Sequence, residues 1–231
     1  MNPQWNNRAL LSGRGLVKRY GTQYALAGVD IDIQPGEAVA IVGPSGSGKT
    51  SLLHVLAGIL RADEGEIHLA GQRIDQFSEK KRSELRRTEF GFVFQQGMLV
   101  AELTAEENVA LPMLLGGAGR KQALAAAREW LTRLGLHGKE GNRPGELSGG
   151  QAQRVAIARA LTHRPKVIFA DEPTGALDTR TGKETMDALL VAAADAGASV
   201  LIVTHDRELA DSLPRTIVIR DGKIATKVAV P

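Results

Sequence analysis

The segment "VDIDI" alternates strictly, with Val29, Ile31 and Ile33 on one face and Asp30 and Asp32 on the other. That period of two predicts a half-exposed antiparallel strand. "GLVKRY" and "YALAGVDIDI" read as neighbouring short strands, punctuated by Gly21 and by the Pro-Gly turn in "QPGE". "AVAIVG" is instead a continuous apolar run, the signature of a strand buried on both faces. A helix is predicted to follow, from about Gly48 to Ala57, then another short strand in "GEIHLAG". "RTEFGFVFQQ" predicts a buried strand over Phe92 to Phe94 that ends at two glutamines.

Between about residues 100 and 160 the pattern turns helical. In "ALAAAREWLTRLGL", Leu124, Ala127, Leu131 and Leu134 recur at helical spacing and Gly135 ends the run. "KVIFADE", "ASVLIVTHD" and "RTIVIRDG" then supply three more apolar strands, with the helix "TGKETMDALLVAAADAG" between the first two. Strand–helix–strand alternation at both ends predicts a parallel α/β core. The helical stretch in the middle reads as an inserted arm.

Composition adds boundaries rather than content. The 231 residues suffice for a sizeable core in one domain carrying an inserted subdomain. Hydrophobic residues at 43% and charged residues at 24% are ordinary for a folded protein. A net charge of +3 is too small to argue for nucleic acid, and none is expected as a partner. With no cysteine, disulfides and cysteine-ligated metal sites are excluded. "MNPQWNNRALLSGRG" lacks the basic start and apolar run of a signal peptide. No apolar stretch approaches the ~20 residues of a membrane helix. The chain is therefore expected to be cytoplasmic, meeting a membrane only through a partner.

The candidate chemistry sits at the ends of the apolar strands. "GPSGSGKT" (Gly43, Pro44, Ser45, Gly46, Ser47, Gly48, Lys49, Thr50) joins a buried strand to a helix. Its glycines let backbone N–H groups turn inward around phosphate oxygens, and the helix N-terminus, which runs on into Ser51, favours an anion. Lys49 suits the terminal phosphates of a nucleotide such as ATP, and the Thr50 hydroxyl suits Mg²⁺. "KVIFADE" ends in Asp171, placed to hold Mg²⁺ through water, and Glu172, placed to polarise an attacking water. His205 and Gln95 end strands in the same way, the glutamine offering an amide to metal or water. His54, His68, His137 and His163 read as structural.

"LSGGQ" adds a second phosphate-facing turn, Ser148, Gly149, Gly150 and Gln151, running straight into a helix. Ser148 also suits the N-cap of that helix, and the two roles are compatible.

Six segments in order, "KRYG", "GPSGSGKT", "FVFQ", "LSGGQ", "IFADEPTGALD" and "VTHD", resemble the ATP-binding cassette ATPases over essentially the whole chain. The resemblance implies a P-loop NTPase (RecA-like) core with an N-terminal antiparallel β-subdomain and an inserted α-helical subdomain. The core with its β-subdomain takes about 1–95 and 163–231, the helical subdomain about 96–162, within one domain. By the same resemblance Tyr20 stacks on adenine, with Tyr24 as the rival. Gln95 touches Mg²⁺ and senses a membrane partner, Glu172 is the catalytic carboxylate, and His205 contacts the γ-phosphate. Asp178 crosses a dimer interface. Ser148, Gly149 and Gly150 of one subunit cap the γ-phosphate held by Lys49 of another, which implies a head-to-tail homodimer on ATP binding. Two departures, Ala152 after the signature glutamine and Ala176 in "GALD", spare every implied ligand contact.

"GFVFQ", "LTAEENVALPML" and "ADEPTGALDT" most resemble the lipoprotein-releasing, macrolide-efflux, bacitracin-type peptide-resistance and cell-division subgroup. That implies integral membrane permease subunits docking near the Gln95 loop and the helical subdomain, at the inner face of the cell membrane. Two alternatives stand beside this reading. A soluble cassette acting on DNA or ribosomes is disfavoured because coiled-coil insertions, zinc modules and a second cassette are missing from the sequence. A cassette that binds ATP without hydrolysing it is disfavoured by Glu172 and His205.

Overall fold

The computed structural model describes residues 9–229, so positions 1–8 of the N-terminal stretch read for a signal peptide lie outside the described residues. Contacts divide the chain into two units, residues up to Arg86 together with those from Leu201, and residues Arg87–Val200.

The first unit opens with β1 (Leu11–Tyr20) and β2 (Gln23–Ile33), an antiparallel pair in which Leu11 faces Ile33 and Tyr20 faces Gln23. Val29, Ile31 and Ile33 are all buried, as the alternation predicts. Each such side chain contributes about 2 kcal/mol by leaving water. On the other face Asp32 is only half-buried because it takes two hydrogen bonds, 2.6 and 2.8 Å, from the buried Arg14 guanidinium. Arg14 also donates to the carbonyls of Gly13 and Ile31, which holds the irregular register of β1.

With β4 (Glu64–Leu69) and β5 (Gln72–Arg73) these strands make a sheet of order β2-β1-β4-β5. The helix α1 (Lys49–Leu56) follows β3 (Ala38–Val42), and α2 (Glu79–Thr88) ends this part of the chain. The C-terminal residues return as α7 (Arg207–Ser212), β9 (Arg215–Arg220) and β10 (Lys223–Ala229). β3 runs parallel to β9, with Ile41 opposite Ile217, and β10 closes the edge antiparallel.

In the second unit β6 (Phe90–Phe94) and β7 (Val167–Asp171) are parallel, with Phe94 opposite Asp171. The division between the units falls within β8 (Ser199–Val203). The buried residues of β6 are Phe90, Gly91 and Val93, while Phe92 and Phe94 are half-buried. This corrects the expectation of a buried Phe92–Phe94 run. The strand starts earlier, and Phe90 meets Phe169 edge-on at 5.0 Å between ring centroids.

Four helices complete this unit: α3 (Ala105–Leu115), α4 (Arg120–Arg133), α5 (Gly149–Leu161) and α6 (Thr179–Ala196). The buried face of α4 is Ala123, Ala127, Trp130 and Leu131, with Leu124 half-buried beside it. Ala127, Leu131 and Leu134 are buried as the spacing predicts, while Leu124 is half-buried and Ala123 and Trp130 join the buried face. The unit also takes in β6, β7 and α6, beyond the helical stretch at about 96–162.

Candidate active site

The phosphate-loop residues run from the end of β3 to the first turn of α1. A Cβ at Gly43 would collide with the Ile219 carbonyl, and one at Gly48 with the Ala25 carbonyl. Gly48 also sits at φ +102°, so the loop admits no side chain there. The loop is pinned by the Ser47 N–H donating to Pro44 O at 3.2 Å and the Gly222 N–H donating to Ser47 O at 3.0 Å. Lys49 Nζ reaches back along it, donating to the carbonyls of Gly43 and Pro44 at 2.9 Å each. Pro44, Ser45, Gly46 and Thr50 are exposed and Ser51 is half-buried. The Ser47 hydroxyl is buried and has no hydrogen-bond partner among the described residues.

Beside the loop lies an open cavity of about 290 Å³ lined by Tyr20, Tyr24, Gly46, Lys49, Thr50 and Ser51, among others. Both tyrosines are half in solvent, Tyr20 at 54% and Tyr24 at 50% exposure. The structure thus brings both aromatic candidates to the same cavity. They differ in their cations: the Arg19 guanidinium lies 4.9 Å from the Tyr24 ring centroid, and Lys18 Nζ 5.9 Å from that of Tyr20. β8 ends at Val203, so His205 does not end the strand as expected but lies exposed two residues beyond it. The preceding Thr204 donates its N–H to Ile41 O at 3.2 Å, which sets His205 at the strand edge where the phosphate loop begins.

In the second unit a different group converges. The pairing of Phe94 with Asp171 places Gln95 next to Asp171 and Glu172 at the C-terminal ends of parallel strands. Glu172 has φ +50°, a left-handed conformation that is uncommon for a residue with a side chain. Its carbonyl accepts from the Gly175 N–H at 3.0 Å, closing a turn. A Cβ on Gly175 would stand 2.8 Å from Gln95 Nε2, so the amide lies against that turn.

The signature turn is a capping box. Ser148 Oγ accepts from the Gln151 N–H at 3.3 Å, and Gln151 Oε1 accepts from the Ser148 N–H at 3.0 Å. Asp178 caps α6 by accepting from the Thr181 N–H at 3.0 Å, and that donor holds its carboxyl below the usual range. The two turns meet at Thr181, because buried Gly150 packs so closely on its methyl that a Cβ would collide with it. Gly149 is less tightly packed, a Cβ there standing 3.3 Å from a Leu177 methyl.

A family model described as ABC transporter matches residues 26–175, well over half of the chain. The chain belongs to the ABC transporter family. The match takes in the phosphate loop, Gln95, the signature turn, Asp171 and Glu172, while Tyr20, Asp178 and His205 fall outside it. As an ABC ATPase the chain converts ATP and water to ADP and phosphate.

Relatives are consistent with the membership. The cassette is 45% identical over 199 residues to the lipoprotein-releasing system ATP-binding protein LolD 1 of Rhodospirillum rubrum, covering 86% of this chain and 88% of that one. It is 49% identical over 199 residues to the macrolide export ATP-binding/permease protein MacB of Escherichia coli, covering 86% of this chain and 31% of that longer one. Among solved structures it is similar to the ATP-binding cassette MJ0796, a dimer in a post-hydrolysis state bound to ADP and Pi. The TM-score is 0.86 at 36% identity, covering 96% of this chain and 99% of that one.

The ABC ATPase has further residues here that spacing did not single out. Asn108 is fully buried and its amide donates to the carbonyls of Val100, Leu103 and Thr104, at 3.0 to 3.1 Å. Gln153 and Arg159 on α5 bond the backbone around Gln95. Among the described residues no cluster of three or more His, Asp or Glu side chains forms a protein-only metal site. Among them also, no helix is long and apolar enough to cross a membrane.

Proposed function

We propose that this ATPase is the nucleotide-hydrolysing subunit of a bacterial transporter or mechanotransmission complex, in which ATP joins two copies head-to-tail and hydrolysis releases them. The loop geometry fits a nucleotide: Gly43 and Gly48 fold the loop tightly against the Ile219 and Ala25 carbonyls, Gly46 has open space around it, and the buried Ser47 hydroxyl has a donor to give. In this reading Gly43 to Ser51 hold the phosphates through backbone N–H groups, Lys49 balances their charge, and Tyr20 or Tyr24 stacks on the base.

Thr50, Gln95 and Asp171 would hold Mg²⁺, and an all-oxygen donor set of hydroxyl, amide and carboxylate is what that ion prefers. Bound there, Mg²⁺ would neutralise charge developing on the phosphate oxygens. Glu172 orients the attacking water and takes its proton, and His205 contacts the γ-phosphate. Ser148, Gly149, Gly150 and Gln151 of the opposite copy cap that phosphate with a hydroxyl and a helix N-terminus, and Asp178 crosses the interface. The similarity to a cassette described as dimeric with ADP and Pi supports the pairing.

Membrane subunits dock near the Gln95 loop and the helical subdomain of about residues 96–162, which holds the chain at the inner face of the cell membrane. Met98 at 65% exposure and Leu115 at 61% put apolar surface into solvent there. Relatives named for lipoprotein release and macrolide export favour export or extraction over import.

The observation that carries the hydrolytic reading is Glu172, held left-handed at the end of β7 directly after Asp171. Backbone strain of this kind persists where a side chain must be aimed. Glu172→Gln keeps the shape and removes the base, so hydrolysis should fall at least a hundredfold while ATP accumulates on a stable dimer. Phosphate-release assays and light scattering read the two effects; native turnover in that variant would falsify the role.

A further inference from the structure

The loop that follows Gln95 is held from α5 by hydrogen bonds that cross about sixty residues of sequence. Gln153, itself buried, donates from Nε2 to Phe94 O at 2.8 Å, on the residue just before Gln95. Arg159 donates from Nη2 to Gly97 O at 2.6 Å and from Nη1 to Met98 O at 2.7 Å. Those two carbonyls belong to consecutive residues in left-handed conformation, Gly97 at φ +66° and Met98 at φ +45°. For methionine this is a strained state that persists only where the surroundings impose it. The Met98 side chain is 65% exposed, so packing does not impose it.

The cation is spent unusually. Arg159 is half-buried and, among the described residues, has no carboxylate partner; burial pushes its pKa down. A part-buried charge without a counter-ion is costly for folding. Its fork geometry is matched to two adjacent carbonyls, which a planar guanidinium serves and a single ammonium serves less well. Meanwhile α5 begins at the Ser148 turn, so one rigid helix carries the signature turn at its start and the clamp on the Gln95 loop farther along.

We propose that Arg159, assisted by Gln153, is the positioning residue for Gln95: it holds the Gly97–Met98 turn in its strained form and makes the Gln95 loop and the signature turn move as one piece. The proposal rests on the role given to Gln95 above. It does not require Arg159 to touch nucleotide or metal.

The chain has no cysteine, so Met98→Cys offers a single exposed attachment point for a nitroxide label. In the full-length protein, Arg159→Met should raise the mobility of that label severalfold, and Arg159→Lys should give an intermediate spectrum. Hydrolysis by Arg159→Met should show kcat reduced roughly tenfold to a hundredfold with KM for ATP changed less than about twofold, because small displacements of a positioned group act on the reacting step. Lysine should restore part of kcat. A label spectrum identical to that of native protein, with unchanged circular dichroism, overturns the proposal. Should the methionine variant not fold, Arg159→Lys and Gln153→Ala carry the same comparison. Gln95→Ala separates the two layers. If the label loosens in Arg159→Met while Gln95→Ala turns over ATP at the native rate, the role of Gln95 falls and the clamp stands. A slowed Gln95→Ala beside an unmoved label means the reverse.

Discussion

Asp178 shows how much of the candidate site is decided by single hydrogen bonds. Its side chain is exposed, yet the carboxyl titrates below its ordinary value of 3.8, chiefly because it accepts the Thr181 N–H at the start of α6. A group whose folded pKa is depressed adds stability above its unfolded pKa, and that contribution disappears as pH falls through the folded value. Asp178→Ala should therefore melt at lower temperature than the native chain at pH 6, with the gap closing as pH drops below about 4. Thermal melts followed by circular dichroism between pH 3 and 6 check this; a gap that widened toward acid would contradict it. The acid of "GALD" was visible as a candidate from its segment. Its second duty as a helix cap was equally readable, since Asp precedes a helical run. Glu172 is different. Pro173 and Gly175 announce a turn, but nothing in the residue type of a glutamate predicts φ +50°. That backbone state is imposed by neighbours.

At the scale of elements, helix starts and strand ends did the organising. β3, β6, β7 and β8 each end beside a candidate residue, and α1, α5 and α6 each begin at one. Apolar runs and turn residues made most of these boundaries legible, because local patterns report burial and caps directly. The shift of β6 to Phe90 and the burial of Ala123 and Trp130 on α4 were not legible, since periodicity tells which face is buried but not against what. The segment between β6 and α3 has no regular structure from which to be read, yet it is tightly tied. Thr104 and Glu107 form a capping box at α3, and Asn108 Oδ1 accepts the Val100 N–H at 2.8 Å while its amide serves three carbonyls. Asn108→Ala should destabilise the fold by roughly 2–4 kcal/mol, because it orphans several buried backbone groups at once. Urea unfolding measures it; a loss below about 0.5 kcal/mol would show that these groups find other partners.

At the scale of the molecule, one chain carries two turns proposed to face phosphate, Gly43–Thr50 and Ser148–Gln151. In the head-to-tail pair proposed above, each would meet a complementary half in the other copy. Ser148→Arg places a bulky cation at an exposed helix start and should leave ATP binding to the single chain intact while preventing ATP-induced pairing. Combined with Glu172→Gln, which otherwise traps the pair, the variant should scatter light as a monomer; dimers of normal size would sink the shared-site reading. The sequence by itself determined the family and the Ser148 cap and marked the strand ends as candidate chemistry, since each of these depends on residues a few positions apart along a covalent chain. Tertiary structure decided what no spacing contains. It joined Arg159 to Met98 and Gly97 and seated Gly150 on Thr181. It bent Glu172 into a left-handed turn and brought both tyrosines to one cavity. Such pairings come from which surfaces the packed core presses together, and a one-dimensional pattern of apolar and polar positions leaves that choice open.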